Sequence, residues 1–220
     1  MAFEANISLN RISDSIMNTL GIDINNYEIK EKIKFEAIQF RALLLRRDLE
    51  RNPITRNFLQ WICLELECKD LSDCCEVKSF KTALRTKEKI PVPLRTKDYD
   101  SFYYVGDINK MKAFKETTFD NVQLMKHRRF TSTEPLFVYD NYVWIFNEPT
   151  PNYKYLTIGS IFEDPRQLAE LKNCDGSNCY TDDDYFPIGA DQYPTLEEYL
   201  IKLLSGKNIS ENKEVKINDN

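Results

Sequence analysis

The chain has 220 residues, of which 42% are hydrophobic, and a formal net charge of −5, which suits a single domain or a domain with a protruding sub-domain. This charge excludes a wholly basic nucleic-acid binder, and an aromatic content of 12% argues against disorder through most of the length. The sequence shows neither an apolar run long enough to cross a bilayer nor a secretory signal, so we expect a cytosolic protein whose 6 cysteines are reduced.

Two helices are predicted for the first quarter of the chain. The first would be capped by Asn6 or Ser8 and would end at Gly21, because apolar residues recur at every third or fourth position between them. Asp23 or Asn25 would then cap a second and much longer helix, in which residues with a strong helical preference dominate.

This long helix, from Tyr27 to Arg51, is the element around which we expect the chain to be organised. It would end at Asn52, because the residue before Pro53 is displaced from helical backbone angles. Polar seams, one of which holds Lys34 and Arg41, separate two apolar stripes on nearly opposite sides. The stripes are Ile29, Ile33, Ala37, Phe40 and Leu44, and Phe35, Ile38, Ala42, Leu45 and Leu49. Either the helix's own domain covers both stripes, or one stripe faces a second copy of the protein.

A strand is predicted from Phe58 to Cys68, and a basic segment, residues 78–97, comes after it. Its prolines and weak apolar periodicity predict a long extended loop, which in a compact domain is usually functional or disordered. The loop would contact a nucleic-acid backbone or an acidic protein surface, including that of an adjacent copy, or would be merely solvated. The cations predicted to contact a partner are Lys78, Lys81, Arg85, Lys87, Lys89, Arg95 and Lys97.

A β region is predicted next, because apolar and alternating segments follow one another with turn residues between them. Asp140 and Asn141 form a typical two-residue hairpin turn between two of these segments. The predicted strands are 101–105, 121–130, 136–139, 142–146 and 155–162.

Helices are predicted again in the last quarter of the chain. A short one, from Pro165 to Lys172, would begin with a capping residue, a proline and a glutamine at suitable spacing: Asp164, Pro165 and Gln167. Thr195 and Glu198 form a capping box that would open the final helix, which is predicted to end at Gly206. The polar tail that follows is predicted to be disordered in isolation.

The order of these elements predicts an α+β fold with segregated layers. The N-terminal helices and the C-terminal helix would form a helical bundle, and a mainly antiparallel β sub-domain would be inserted between them. The predicted boundaries are 1–56 for the N-terminal helices, 57–163 for the β sub-domain, 164–206 for the helices that complete the bundle, and 207–220 for the tail.

Few residues have the identity and spacing that a catalytic or metal-binding site requires. Cys174 and Cys179 could hold a structural zinc ion together with thiolates among Cys68, Cys74 and Cys75, although reduced thiols in a turn fit the spacing better. The single histidine, His127, is too little for a hydrolase triad, and no glycine-rich phosphate loop is present. We therefore predict that the protein is not an enzyme.

The acidic residues Asp182, Asp183 and Asp184 lack the glycine-centred spacing of a calcium loop. A solvated acidic turn is the simplest interpretation. The alternative is a partner contact, in which this turn meets the basic loop of another copy.

The stretch from Tyr153 to Pro187 carries a resemblance to known proteins. It contains the strand YLTIGSIF, followed by EDPR, NCDG and CYTDDD. These residues are similar to ring proteins, which are head-to-tail connector components of crAss-like phages, short-tailed phages of Bacteroidetes. The long helix with its run RALLLRR is similar more loosely, and helices at both ends of the chain around a β sub-domain resemble the adaptor proteins of podoviruses.

The resemblance implies a non-enzymatic virion structural protein, without a cofactor, that assembles as a dodecameric ring around a channel for DNA. Its partners would be further copies, the portal protein and other ring or tail proteins, with non-specific proximity to viral DNA and no membrane. It would be located in the virion after assembly in the host cytoplasm. Two rival hypotheses are a monomeric binding or regulatory module and a zinc-stabilised nucleic-acid-binding factor.

Overall fold

The computed structural model describes residues 7–50, 58–71, 82–95, 102–118, 121, 135–146, 153–172 and 176–217, with residues 207–217 described by their backbone alone. Its contacts divide the chain into two compact units. The helical unit comprises residues 1–58 and 180–220, and the β unit comprises residues 59–179. No helix among the described residues is long and apolar enough to cross a membrane.

The helical unit contains helices α1 (Leu9–Thr19), α2 (Tyr27–Leu49) and α3 (Tyr193–Ile217). Ser8 caps α1, and its side chain accepts a hydrogen bond from the backbone N–H of Arg11. Gly21 follows the end of α1 with a φ of 65°, a value that glycine adopts without strain.

The cap of α2 differs from the prediction. Asn26 caps this helix and accepts a hydrogen bond from the N–H of Ile29 at 3.2 Å, so the assignment to Asp23 or Asn25 was wrong. The reason is a turn before the helix, in which the carboxylate of Asp23 accepts a hydrogen bond from the N–H of Asn25 at 2.9 Å. The predicted stop at Asn52 and Pro53 lies outside the described residues.

The three helices share one hydrophobic core, which both stripes of α2 help to form. Ile38 of one stripe is buried, and Ile29, Phe40 and Leu44 of the other are half-buried against the same cluster. Of the ten stripe residues only Phe35 is exposed, at 59%. The structure therefore supports cover of both stripes by the chain itself. The buried residues of the cluster are Leu9, Ile12, Ile16, Met17, Ile33, Ala37, Ile38, Phe186, Ile188, Leu196, Leu200 and Leu204.

Helix α3 is longer than predicted. It begins at Tyr193, two residues before the predicted capping box, with Pro194 in its first turn, where no intrahelical N–H is needed. It also continues to Ile217, so the predicted end at Gly206 and the disordered tail were wrong for these residues. A single glycine inside a helix costs only about 1 kcal/mol, and no proline follows it.

The described part of the β unit forms one seven-stranded sheet, in the order β3-β7-β1-β2-β6-β5-β4. All neighbouring strands are antiparallel except β4 and β5. The mixed α+β class predicted from the sequence is therefore confirmed, whereas a bundle of the three helices stays a proposal. The strands are β1 (Gln60–Asp70), β2 (Thr82–Thr86), β3 (Tyr104–Gly106), β4 (Lys115–Glu116), β5 (Pro135–Tyr139), β6 (Tyr142–Ile145) and β7 (Tyr155–Ser160).

The two edges of this sheet lie close together. After β3 the chain turns back, with the N–H of Phe114 donating to the carbonyl of Val105 at 2.7 Å, and then enters β4, the other edge strand. The sheet is thus nearly closed on itself. Alternation in β1 sets its faces, because Ile62, Leu64 and Leu66 are buried while the residues between them are half-buried.

Part of the basic segment is a strand and not the extended loop that its sequence suggested. Residues 82–86 form β2 between β1 and β6, so the prediction was wrong there. Ala83 and Leu84 of this strand are buried. Further on, Val92 and Leu94 hydrogen-bond to the backbone at residues 161–163, so this part also lies along the β unit.

The predicted helix after Asp164 exists as a 3-10 helix, Pro165–Glu170, with Asp164 as its cap. It lies in the β unit, where the side chain of Gln167 accepts a hydrogen bond from the N–H of Val92 at 3.2 Å. The contact-based division therefore falls at 179/180, not at the predicted 163/164. Most of the strand predicted at 121–130 lies outside the described residues.

Candidate assembly surfaces

Lys34 lies almost wholly buried on α2 and links it to the acidic segment. The residue is 6% exposed, and its Nζ lies 2.8 Å from a carboxylate oxygen of Asp182 and 3.0 Å from one of Glu31. Burial lowers the pKa of Lys34, but the hydrogen bonds and charges of Asp182 and Glu31 outweigh it and hold this pKa above its usual value. Asp182, predicted to contact a partner, therefore contacts its own chain.

Arg41 makes a second anchor two helical turns further along the same side. It is fully buried, its Nε donates to the backbone carbonyl of Pro187 at 2.7 Å, and its guanidinium lies 5.5 Å from the ring centroid of Phe186. Together Lys34 and Arg41 fix the segment 182–187 against α2. The sequence placed both residues in a polar seam without indicating that the seam is buried.

The remaining acidic residues belong to a turn, Thr181–Tyr185, called here the acidic turn. Asp183 accepts a hydrogen bond from the side-chain amide of Asn10 at 2.6 Å, and Asp184 accepts from the N–H of Thr181 at the same distance. Both donors are uncharged, and neither carboxylate forms an ion pair in the part of the chain that the structure describes. The turn is therefore held in place by hydrogen bonds within its own chain.

The side of α2 that faces away from Lys34 is the outer face of α2, defined by Phe35, Gln39, Leu43, Arg46 and Arg47. All five side chains are exposed, and the two apolar ones are 59% and 56% exposed. The sequence analysis assigned Phe35 to an apolar stripe and did not identify Leu43 as exposed. Which positions of α2 are buried depends on the segments that pack against the helix, and the pattern within the helix does not show them.

The predicted contact residue Arg85 lies across the outer surface of the sheet. It forms two hydrogen bonds with one carboxylate oxygen of Glu67, at 2.6 and 3.2 Å, on the neighbouring strand. Its guanidinium also lies 4.4 Å from the ring centroid of Tyr142 and 5.4 Å from that of Trp144. The hydrogen bond from Arg85 and a second from Lys69 hold the pKa of Glu67 below its usual value.

The next two predicted contact residues also have acidic partners within the chain. Lys87 lies 2.9 Å from Glu65, and Lys89 lies 3.1 Å from Asp140. The hydrogen bond with Glu65 raises the pKa of Lys87 above its usual value. Arg95 is exposed, whereas Lys78, Lys81 and Lys97 lie outside the described residues. A partner contact through this set of cations stays a prediction.

A second exposed apolar surface lies at the turn between β3 and β4. Ile108 and Met111 are 46% and 86% exposed. Nearby, Nζ of Lys110 lies 3.4 Å from the ring centroid of Trp61, and the indole lies over Gly159, where an added Cβ would come within 2.7 Å of it. The sequence signal for this arrangement was a glycine inside a strand, which marks a close approach.

The comparison with known families decides the class of protein. The family model CrAss_Ring_2, phage tail ring protein 2, matches residues 11–220 and so covers parts of both units. The chain belongs to this family. No curated protein matches it. The resemblance to crAss-like phage ring proteins is thereby confirmed, and a structural role in the phage tail follows from it.

The cysteines of this ring protein give no zinc site among the described residues. Neither Cys68 nor Cys179 is disulfide-bonded, Cys174 lies outside the described part, and no cluster of three metal-binding side chains occurs within it. Cys63 is disulfide-bonded, so the prediction of reduced thiols was wrong for this residue. The cellular compartment predicts only on average whether cysteines are reduced or oxidised, whereas disulfide pairing depends on which cysteines the fold brings together.

Proposed function

We propose that this ring protein forms a homo-oligomeric ring in the head-to-tail connector, between portal and tail, around a channel through which viral DNA passes. Its role there is structural and involves no catalysis. The family match over residues 11–220 supports the ring. The dodecameric state and the portal as a partner belong to this proposal, together with assembly in the host cytoplasm.

The exposed apolar residues of the helical unit are the structural observation that favours assembly. Phe35 and Leu43 lie on a helix whose opposite side is tied down by Lys34 and Arg41, so α2 is held rigidly while its outer face stays uncovered by the described part of the chain. A rigid helix with exposed apolar residues suits a contact between subunits, because little conformational freedom is lost on association.

The pairing of charges in the β unit suits a conduit for DNA. Proteins bind DNA by neutralising phosphates with lysine and arginine side chains. Here Arg85, Lys87 and Lys89 already lie next to carboxylates of the same chain. A lumen built from such surfaces, in a chain of net charge −5, would let DNA slide without holding it.

The position of the protein in the virion can be tested by cryo-electron microscopy of purified particles, with copy number measured by quantitative mass spectrometry against the portal. The proposal requires this chain in a closed ring on the axis between portal and tail. Finding it in fibres or in the head, or its absence from particles, would contradict the proposal.

A monomeric binding module is the second candidate, and the cover of both α2 stripes by the chain itself favours it. Size-exclusion chromatography with light scattering separates the two, provided that the protein is measured alone and with purified portal. A ring subunit that needs a template would be monomeric alone and oligomeric with portal. A binding module would stay monomeric in both samples.

A further inference from the structure

We propose that neighbouring copies in the ring contact each other head to tail, with the C-terminal part of α2 in one copy packed against the N-terminal part of α2 in the next. This inference rests on the proposed ring and names the surfaces that would build it. A closed ring of identical subunits needs two different patches on each copy, since each copy contacts one neighbour with the first patch and the other neighbour with the second.

The first patch, called here the basic end of α2, is formed by Leu43 and Arg47. These residues lie one helical turn apart and are both exposed, Leu43 at 56%. The side chain of Arg47 forms no ion pair or hydrogen bond with any residue that the structure describes. An apolar side chain next to an arginine is typical of protein interfaces, in which arginine is enriched.

The second patch, called here the acidic end of α2, is formed by Asp23, Ile24, Tyr27 and Glu28. Tyr27 and Ile24 are 73% and 48% exposed. The carboxylate of Asp23 accepts hydrogen bonds from the uncharged Asn25 only. Glu28 is exposed, and neither acid forms an ion pair within the described ranges of the chain. The patch therefore combines negative charge with exposed apolar and aromatic side chains.

The two patches complement each other in chemistry. The guanidinium of Arg47 can donate hydrogen bonds to the carboxylate of Glu28 in the next copy and stack on the ring of Tyr27 beside it. Leu43 would then pack against Ile24. Acidic residues at the start of a helix and basic ones at its end also stabilise the helix through its dipole, so the charges alone would not indicate a contact. The exposed apolar residues beside both charges do indicate one.

The length of α2 keeps the two patches of one copy apart. Glu28 and Arg47 are separated by nineteen residues of an uninterrupted helix, or about 28 Å at a rise of about 1.5 Å per residue. This distance is far beyond the reach of either side chain. Arg47 can therefore meet Glu28 only in another copy.

The acidic end is also formed before any contact is made. The N–H of Asn26 donates to the carbonyl of Asp23 at 2.9 Å, and the side chain of Asn26 accepts from the N–H of Ile29 at 3.2 Å. The turn and the first turn of α2 are thus fixed together. A preformed patch loses little conformational freedom on association, which favours its use as a docking surface.

The contact can be tested by reversing its charges on either side. One variant carries Arg47→Glu, and the other carries Glu28→Arg, while Asp23 is left unchanged because it holds the turn. Each is supplied as the only source of the ring protein during phage assembly, and complete particles are counted by electron microscopy. We expect each variant alone to lower the particle yield at least about tenfold, because like charges would face each other at every interface of the ring.

Restoration provides the decisive result. A head-to-tail contact predicts that a 1:1 mixture of the two variants assembles, with copies alternating around the ring, and that the variant carrying both changes assembles by itself. Singly reversed variants with the yield of the wild type would overturn the proposal. Failure of both the mixture and the doubly changed variant would overturn it as well.

Matched controls change the net charge elsewhere by the same amount. Lys172→Glu corresponds to Arg47→Glu, and Glu170→Arg corresponds to Glu28→Arg, both at exposed positions of the β unit. These controls should leave the yield unchanged, and an equal loss in them would overturn the assignment to the ends of α2. Thermal unfolding identifies a variant that fails to fold. Arg47→Gln or Glu28→Gln then replaces it, and a wild-type yield in this replacement would also overturn the proposal.

Cross-linking in otherwise unchanged particles separates this contact from the ring itself. A photo-cross-linking residue in place of Leu43 should join a neighbouring copy within residues 23–28. Cross-links that map elsewhere on a neighbouring copy, or onto a different virion protein, would refute this contact and leave the ring intact. Particles without a ring of this chain would refute the proposed function too.

Discussion

The two units of the molecule use cations in different ways. In the helical unit Lys34 and Arg41 are buried, at 6% and 0% exposure, and each fixes a distant segment to α2. In the β unit Arg85 and Lys87 lie across the outer surface of the sheet, next to carboxylates on the neighbouring strand. Buried cations therefore determine which segments pack together. The surface cations add little stability to a sheet that the burial of its apolar side already stabilises.

The largest expected effect concerns Arg41. Arg41→Ala removes a fully buried side chain and leaves the carbonyl of Pro187 without its donor, so we expect a loss of about 4 kcal/mol in the free energy of unfolding. Arg41→Met, which keeps the apolar stem, should lose about half as much. Unfolding in urea measures both. Arg47→Ala, on the exposed side of the same helix, is the control, and an equal loss in this variant would contradict the contrast between buried and exposed cations.

Lys34→Met should lower the free energy of unfolding by about 2 kcal/mol, because the carboxylate of Asp182 would lose its partner while remaining partly solvated. The pKa of Lys34 is raised in the folded protein. The stability that Lys34 contributes is therefore complete below its ordinary pKa of about 10.4, and it is lost as pH rises through the pKa of the folded protein. Unfolding of both proteins between pH 8 and about 11.5 should show the difference shrinking only at the alkaline end. A difference that already shrinks near neutral pH would argue against the ion pair.

A smaller effect is expected in the β unit, and it is best measured as a pKa. Arg85→Gln should raise the pKa of Glu67 towards its ordinary value, since the hydrogen bond from Arg85 is the main cause of the lowering. The stability that Glu67 contributes is present above an ordinary pKa of about 4.3 and is lost as pH falls through the folded value. An NMR titration of the Glu67 carboxyl group measures this pKa directly. Lys69→Gln is the matched variant and should raise this pKa less, so the reverse order would contradict the assignment.

The smallest effect is expected at Met111, which is 86% exposed. Met111→Ser should change the free energy of unfolding by less than about 0.5 kcal/mol. Ile62→Ala, on the buried side of β1, should cost about 3 kcal/mol in the same assay. A large loss in the Met111 variant would mean that the turn between β3 and β4 is packed within the isolated protein and is not an exposed surface.

Local signals in the sequence were sufficient for several elements. The hairpin of β5 and β6 was predicted from Asp140 and Asn141, which both adopt positive φ angles, 50° and 61°. The long helix was predicted within a few residues of its observed bounds, because helix-forming residues fill it without interruption. In each case the information lies within the element itself.

Elements that depend on distant partners could not be predicted in this way. Strand β2 has only one large apolar residue, Leu84, and it forms because β1 and β6 lie on either side of it. The burial of Arg41 depends on Pro187, which is 146 residues further along the chain. The burial of the seam that holds Lys34 and Arg41 could not be predicted for the same reason, since one sequence does not show which segment returns to cover it.

The indole of Trp61 provides a spectroscopic reporter within the β unit. It lies against Gly159, contacts the ring of Tyr104 at a centroid distance of 5.8 Å, and has the ammonium group of Lys110 above it. Any molecule that pulled Lys110 away would change the emission of this fluorophore. Replacing the other tryptophan, Trp144, by phenylalanine would leave Trp61 as the one source of tryptophan fluorescence. A change in this fluorescence would then report docking at the turn between β3 and β4.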